Sequence, residues 1–447
     1  MSGASATFER NGRSAHSGHG DVSPGEIAIG VIIGRTSEFF DFFVYAIASV
    51  IVFPKLVFPH LDPLTGTLYS FAIFALAFIA RPIGTGVFMA IDRSYGRSVK
   101  LTITLFLLGT CTVAIAFLPG YEQIGWVSAL LLAVFRTGQG FAGGSLLATL
   151  AQGIALGGSW DGLPSLLALN APQQKRGWYA MIPQLGAPLG LMVAAALFAY
   201  FASNLSSEDF LDWGWRYPFF VAFAINVVAL FARLRMVDTP EYVEHFGKRE
   251  LEPKPISETM RHEGLHVVLG AFTPLASFAL FHMVTVFPLS WVFLYTNQSP
   301  ARFLVIELIG AIVGLITIVL SGYVADLVGR RNLLFATAAV IAVFSGFAPQ
   351  LLSGGDAGEV AFMVLGFILL GLSFGQSSGT LAENFAKVYR YTGSAFTADL
   401  AWLFGAGFAP FVALWLSSHF GLMAAGLYLL SGAVCTLLAL GLSRQLQ

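Results

Sequence analysis

The sequence predicts an all-α membrane protein of twelve transmembrane helices arranged as two six-helix bundles. Three observations carry that expectation. Of 447 residues, 56% are hydrophobic and only 11% are charged, with a mean hydropathy of +0.75, far outside the range of soluble domains. Apolar runs long enough to cross a bilayer recur along the whole chain. A single long polar segment divides them near the middle.

Residues 1–26 are rich in Ser, Gly and His, and no charged start leads into a short apolar core and cleavage site. They read as a disordered cytoplasmic tail rather than a signal peptide. The first span, 27–51, carries the densest chemistry, Gly34-Arg35-Thr36-Ser37-Glu38-Phe39-Phe40-Asp41-Phe42-Phe43-Val44-Tyr45. Steps of three, three and four place Arg35, Glu38, Asp41 and Tyr45 on one helical face. A charge at the bilayer centre costs roughly 2.5–3.5 kcal/mol, so that face must look into a bundle or a wet cavity. Either Arg35 and Glu38 form a structural ion pair, or Glu38 and Asp41 line a transport path in which at least one exchanges protons.

Further spans are expected near 66–90, 99–118, 125–158, 178–202, 216–236, 266–294, 303–325, 332–351, 359–382, 393–417 and 421–443. The polar stretch between the sixth and seventh, with Pro240, Pro253 and Pro255, gives an N-terminal bundle over 27–237, a linker over 238–264 and a C-terminal bundle over 265–447. Arg93, Arg97, Lys100, Lys175, Arg176, Lys248, Arg249, Arg330, Arg331, Lys387, Arg390 and Arg444 fall in alternate loops or at the end, while Asp62, Glu122, Glu208, Asp212 and Asp356 fall in the others. By the positive-inside rule, both termini and the linker are cytoplasmic.

The near-zero net charge gives no case for nucleic-acid binding. Cys111 and Cys435 stand far apart in apolar spans, so they imply neither a disulfide framework nor a cysteine metal site, and no cofactor is called for. The lipid bilayer is the partner that composition itself calls for.

The halves repeat each other weakly: Gly322 through Asp326 to Gly329-Arg330-Arg331 sits where Gly86 through Asp92 to Gly96-Arg97 sits in the first half. Parallel six-helix repeats are one way transporters are built. The second-half loop resembles the signature loop of the major facilitator superfamily. Other segments resemble its metabolite:proton symporter branch: Glu38-Phe-Phe-Asp41 with Tyr45, Arg81-Pro82-Ile-Gly84, Arg136-Thr-Gly-Gln139-Gly140, Arg176-Gly177, Gln184-Leu-Gly186-Ala-Pro188-Leu-Gly190, Trp213-Gly-Trp215-Arg216, Asp238-Thr-Pro240-Glu241, Glu383 through Arg390-Tyr391-Thr392-Gly393, and Ala409-Pro410. The resemblance runs from about Gly30 to Leu440. It implies a secondary active transporter at the bacterial inner membrane that couples uptake of a small metabolite, such as an organic acid or a zwitterionic osmolyte, to a proton. Export by the same fold is the alternative. The partners that the resemblance implies are a small metabolite and protons besides the lipid bilayer, with a functional monomer. It also implies gates built from Asp92, Arg97, Asp326, Arg330, Arg331, Glu383 and Arg390.

Three departures stand out. Relative to Gly96-Arg97, Asp92 comes one residue early, and Met89 takes the usual glycine position. In span four, Gln139-Gly140 is echoed at Gln152-Gly153, as though about 13 residues, or ~20 Å of helix, had been inserted. In Gly157-Gly158-Ser159-Trp160-Asp161-Gly162 the expected acid is displaced by two positions to Asp161.

Glu38, Asp41 and Asp161 are thus the candidate proton-coupling residues. Arg136, Tyr45 and Gln184 are the candidate substrate contacts, with Arg136 binding an anion or pairing with a carboxylate of its own half. Arg81 is near enough to its helix end to reach the interface. His282, Glu307 and Asp399 stand alone in apolar spans. A rival reading takes His262-Glu263-Gly264-Leu265-His266 as the zinc site of an intramembrane metalloprotease. Gly264 and the position at the linker's end weigh against it.

Overall fold

A computed structural model describes residues 24–151, 172–237, 254–296, 298–377, 385–386 and 388–442. These residues cross the membrane twelve times as helices. The first half comprises α1 (Pro24–Ile51), α2 (Pro63–Tyr95), α3 (Arg97–Ala116), α4 (Val127–Ala151), α5 (Arg176–Asn204) and α6 (Arg216–Val237). In the second half, α7 (Ile256–Phe272) runs into α8 (Leu275–Tyr295) to make one pass. The remaining passes are α9 (Pro300–Val328), α10 (Arg330–Ser345), α11 (Gly355–Ser377), α12 (Thr392–Phe420) and α13 (Met423–Leu442). Helix α7 starts inside the segment expected as linker, whose residues 238–253 lie outside the described residues.

The sequence repeat is visible in how the second pass of each half ends. Helix α2 stops at Gly96 with φ of 82° and α9 stops at Gly329 with φ of 87°, left-handed conformations that glycine adopts without steric cost. At its start, α2 has Pro63 in the first turn, and Asp62 accepts a hydrogen bond from the Thr65 N–H at 3.0 Å.

Small residues let the corresponding helix pairs approach closely. A Cβ on Gly84 of α2 would lie 2.1 Å from the Phe141 carbonyl oxygen, and one on Gly140 of α4 2.2 Å from the Ala77 carbonyl oxygen. In the second half, α9 and α11 meet where Gly310 and Gly314 receive the Phe367 ring and Gly371 packs on Thr317. Gly186 and Gly190 of α5 rest against the backbone of α1 at Arg35 and Phe40. This is packing of the small-xxx-small kind, which brings helices together through dispersion contacts.

The halves touch at both ends. At the end where the α2–α3 and α9–α10 turns lie, hereafter the linker end, the Asp326 carboxylate accepts hydrogen bonds from the Gly177 and Trp178 N–H groups at 2.6 and 3.1 Å. A carboxylate of the second half therefore caps the N-terminus of a first-half helix, where unpaired N–H groups and the helix dipole both favour an anion. Arg330 donates to the Arg176 carbonyl oxygen at 3.2 Å, and Gln376 donates to that of Gly177 at 3.1 Å. Arg331 donates to the Leu440 carbonyl oxygen at 2.7 Å, within its own half. At the far end, the Lys55 ammonium lies 5.0 Å from the centre of the Phe293 ring.

Asp92 behaves differently from Asp326. It pairs with Lys100 at 3.4 Å, inside the first half. One residue of displacement is ~100° of rotation about a helix, which accounts for two acids in equivalent turns facing different partners. The Arg97 and Arg390 side chains and all of Glu383 lie outside the described residues.

Two outcomes are expected. Gly84→Val should separate α2 from α4 and destabilise the protein by about 1–3 kcal/mol, read as a lowered thermal midpoint in detergent. Asp326→Asn should remove a charge-assisted cap of roughly 1.5 kcal/mol and raise the open population at the linker end about tenfold. Maleimide labelling of Met181→Cys, beside buried Gly322, in a background without the native cysteines measures it.

Candidate functional site

Between the halves lies a cavity of about 670 Å³, counting its opening. Its wall combines Arg35, Glu38, Asp41, Arg81, Arg136 and Gln139 with Phe39, Phe42, Phe78 and Trp402. The first three charged residues come from α1, at the face that the sequence spacing picks out. Arg81 comes from α2, Arg136 and Gln139 from α4, and Trp402 from α12 of the other half. Trp402 precedes a π-helical turn at Leu403–Gly407, itself followed by Pro410, which has no N–H to continue the helical ladder.

Each charge is held in its own way. Arg35 Nη1 donates to Glu38 Oε2 at 3.0 Å, and its guanidinium lies 4.9 Å from the Phe39 ring centre. Asp41 accepts from Thr112 Oγ1 at 2.9 Å and from Asn226 Nδ2 at 3.5 Å. Gln139 Nε2 in turn donates to Thr112 Oγ1 at 2.9 Å, and Arg136 Nη1 donates to Gln139 Oε1 at 3.2 Å. A chain of hydrogen bonds thus connects Arg136 to Asp41 without a direct ion pair. Arg136 also sits 3.9 Å from the Tyr45 ring centre and donates from Nε to the Phe74 carbonyl oxygen at 3.4 Å.

Arg81 projects into the cavity rather than to the interface, with its guanidinium 5.2 Å from the Phe78 ring centre and 5.8 Å from that of Trp402. One turn along α2, Thr85 donates from Oγ1 to Asp399 Oδ2 of α12. Asp399, a residue whose partner the sequence does not reveal, is completely buried.

The predicted contacts therefore divide. Glu38, Asp41 and Arg136 come together at the cavity. Tyr45 is completely buried beneath Arg136 with its hydroxyl unpartnered among the described residues, so its ring supports the arginine. Gln184 is buried in the 3₁₀ turn Ile182–Leu185, away from the cavity wall. Asp161 and the repeated Gln152-Gly153 lie outside the described residues. Thr112, Asn226, Thr85 and Trp402 escape sequence reasoning. The available signal was a polar or bulky residue alone in an apolar run, which also describes many packing residues.

His282 is buried with both ring nitrogens unpartnered among the described residues, stacked on Phe42 at 5.5 Å and edge-on to Phe74 and Phe78 at 5.5 and 5.9 Å. Both carboxylate oxygens of Glu307 are likewise buried without a hydrogen-bond partner among the described residues. In the His-Glu-x-x-His segment, Glu263 has non-helical φ and ψ of −124° and 16° and bonds His266 Nδ1 at 2.5 Å. His262 stacks on Tyr389 at 5.4 Å. The two histidines thus face different partners across a kink.

A family model described as Major Facilitator Superfamily matches residues 144–399. The inner membrane metabolite transport protein YhjE of Escherichia coli (strain K12) is 37% identical over 433 residues, covering 95% of this chain and 94% of the relative. The shikimate transporter of the same organism is 29% identical, covering 91% of each chain. Among solved structures, the proton:xylose symporter XylE bound to 6-bromo-6-deoxy-D-glucose superposes with a TM-score of 0.68 at 17% identity, over 93% of this chain and 94% of the other.

Tyr45→Phe is expected to leave stability and transport unchanged within about 0.5 kcal/mol, because it removes only an unpartnered hydroxyl. Tyr45→Leu should weaken transport by the loss of a cation–π contact of about 0.5–2 kcal/mol. Thermal midpoints and transport KM values of the two variants, compared side by side, check this.

Proposed function

The chain belongs to the major facilitator superfamily, a family of membrane transporters, and from that membership we propose a proton-coupled symporter that takes up a small organic anion. The observation that carries the reading is the charge pattern of the cavity. Among the described residues, its wall presents three guanidinium groups, Arg35, Arg81 and Arg136, against two carboxylates, Glu38 and Asp41. Glu38 is engaged by Arg35, whereas Asp41 is held only by hydroxyl and amide donors. A carboxylate substrate supplies the missing negative charge, and Phe39, Phe42, Phe78 and Trp402 take its carbon skeleton. The shikimate transporter among the relatives, named for a cyclic carboxylic acid, agrees with this class.

In this reading, Asp41 takes a proton from the side opposite the linker, the substrate anion binds at Arg136 and Arg81, and the bundles rock to release both at the linker end. The asymmetry of basic residues between loops supports a cytoplasmic linker end with both termini inside, and the 37%-identical relative supports an inner-membrane location. The protein acts as a monomer, each chain enclosing its own cavity. Asp326 and Arg330 hold the linker end closed while the cavity loads from the other side, with Asp92 and Arg331 bracing turns of their own halves; in this reading Arg97, Glu383 and Arg390 complete the gate. Asp161 and Gln184 have roles in coupling and substrate contact only if they reach the cavity when the bundles rock.

The test is uptake of radiolabelled shikimate, other mono- and dicarboxylates, betaine and proline into proteoliposomes under an inward proton gradient, with and without an uncoupler. Carboxylate uptake that collapses with the uncoupler is expected; uptake of betaine or proline alone would replace the anion reading with a zwitterionic one. Asp41→Asn should abolish gradient-driven accumulation with an unchanged thermal midpoint, and normal accumulation by that variant would remove Asp41 from coupling.

A further inference from the structure

We propose that Asp399 is a second proton-binding residue, tied across the halves to Thr85 and placed beside Arg81 so that proton and substrate anion are taken together. Arg81 and Thr85 are four residues apart on α2, and Asp399 and Trp402 three apart on α12, so each pair shares one helical face. The two faces meet at two points. Thr85 Oγ1 donates to Asp399 Oδ2, and the Arg81 guanidinium lies 5.8 Å from the Trp402 ring centre.

Among the described residues, Arg81 is the cation that the register of α2 sets beside Asp399. Its Oδ1 atom is buried without a hydrogen-bond partner among the described residues. Helix α4 brings Arg136 to this region, α8 brings His282, and α7 carries Glu258, Arg261, His262, Glu263 and His266. Of these and Arg81, Arg81 stands one helical turn from the Thr85 that bonds Asp399. A carboxylate in such a place must be balanced by a cation or by a proton.

Arg81 also lines the cavity, and the step therefore rests on the reading that the substrate is an anion. When the substrate carboxylate engages Arg81, the arginine no longer balances Asp399, and hydronium transfers a proton to its carboxylate oxygen. One O–H bond of hydronium breaks, leaving water, and one O–H bond forms on Asp399. By reciprocity, a proton on Asp399 strengthens anion binding at Arg81 by the same factor, typically ~5–150-fold for coupled sites. Asp41 is held by donors of its own half, but Asp399 is held across the halves. Opening the linker end separates α2 from α12, breaks the Thr85 bond and admits water to Asp399, which releases the proton there.

Two measurements test this. Purified protein is treated with a hydrophobic carbodiimide, which reacts with protonated carboxyl groups, and Asp399 modification is mapped by mass spectrometry across pH. Modification that falls as pH rises, with a midpoint moved by Thr85→Val or Arg81→Gln, is expected. Absence of modification at every pH, or a midpoint indifferent to both variants, overturns the proposal. This readout needs no substrate, so it stands even where wild-type protein moves none of the carboxylates and the anion reading fails. In proteoliposomes, Asp399→Asn should lose gradient-driven shikimate accumulation tenfold or more while retaining counterflow, which needs no net proton movement. Accumulation equal to wild type overturns the proposal. Should Asp399→Asn not fold, Thr85→Val carries the transport comparison, with reduced accumulation at retained counterflow expected.

Discussion

Charge buried where no water can solvate it is the constraint on which the rest of this structure depends. At the bilayer centre each ionised group must find its partner within the protein or pay a desolvation penalty of several kcal/mol. The cavity answers that requirement with short-range partnerships: Arg35 with Glu38, Asp41 with Thr112 and Asn226, and Arg136 with Gln139, a backbone carbonyl and the face of Tyr45. Only Arg35 and Glu38 among these neutralise each other directly. The incomplete compensation of Arg136 and Asp41 is what the proposed anion site rests on.

The number and order of helices were legible because bilayer thickness imposes a length and a hydropathy that any sequence must display. The charged face of α1 was legible for a similar reason, since helical spacing puts Arg35, Glu38 and Asp41 together whatever surrounds them. Rotations and pairings between helices were not. Nothing local to Tyr45 says that its ring lies under Arg136, and nothing near Asp399 names Thr85, which is 314 residues away. Those contacts depend on helix crossings set by glycines such as Gly84, Gly140 and Gly186. Glycines of this kind announce a close approach without naming the helix that approaches.

The two signature turns show how small a sequence change redirects an interaction. Both end a helix at a glycine with positive φ, at Gly96 and Gly329, so the backbone repeat is preserved. Asp326 precedes its glycine by three residues and reaches the N-terminus of α5 in the other half; Asp92 precedes its glycine by four and pairs with Lys100 in its own. The halves share an architecture, yet one residue of register sets the two acids on different partners, and Asp326 is tied across the halves.

The ring of aromatic side chains around His282 has a consequence for the proposed transport cycle. Phe42, Phe74, Phe78 and Phe281 surround an imidazole whose nitrogens meet no partner among the described residues. A file of water molecules needs polar groups to anchor it, and this plug offers almost none. It lies on the far-end side of Arg81, since Phe74 and Phe78 precede Arg81 on a helix that begins at Pro63. In the proposed cycle this dry plug closes the far side of the cavity, and it must part before a proton from that side reaches Asp41.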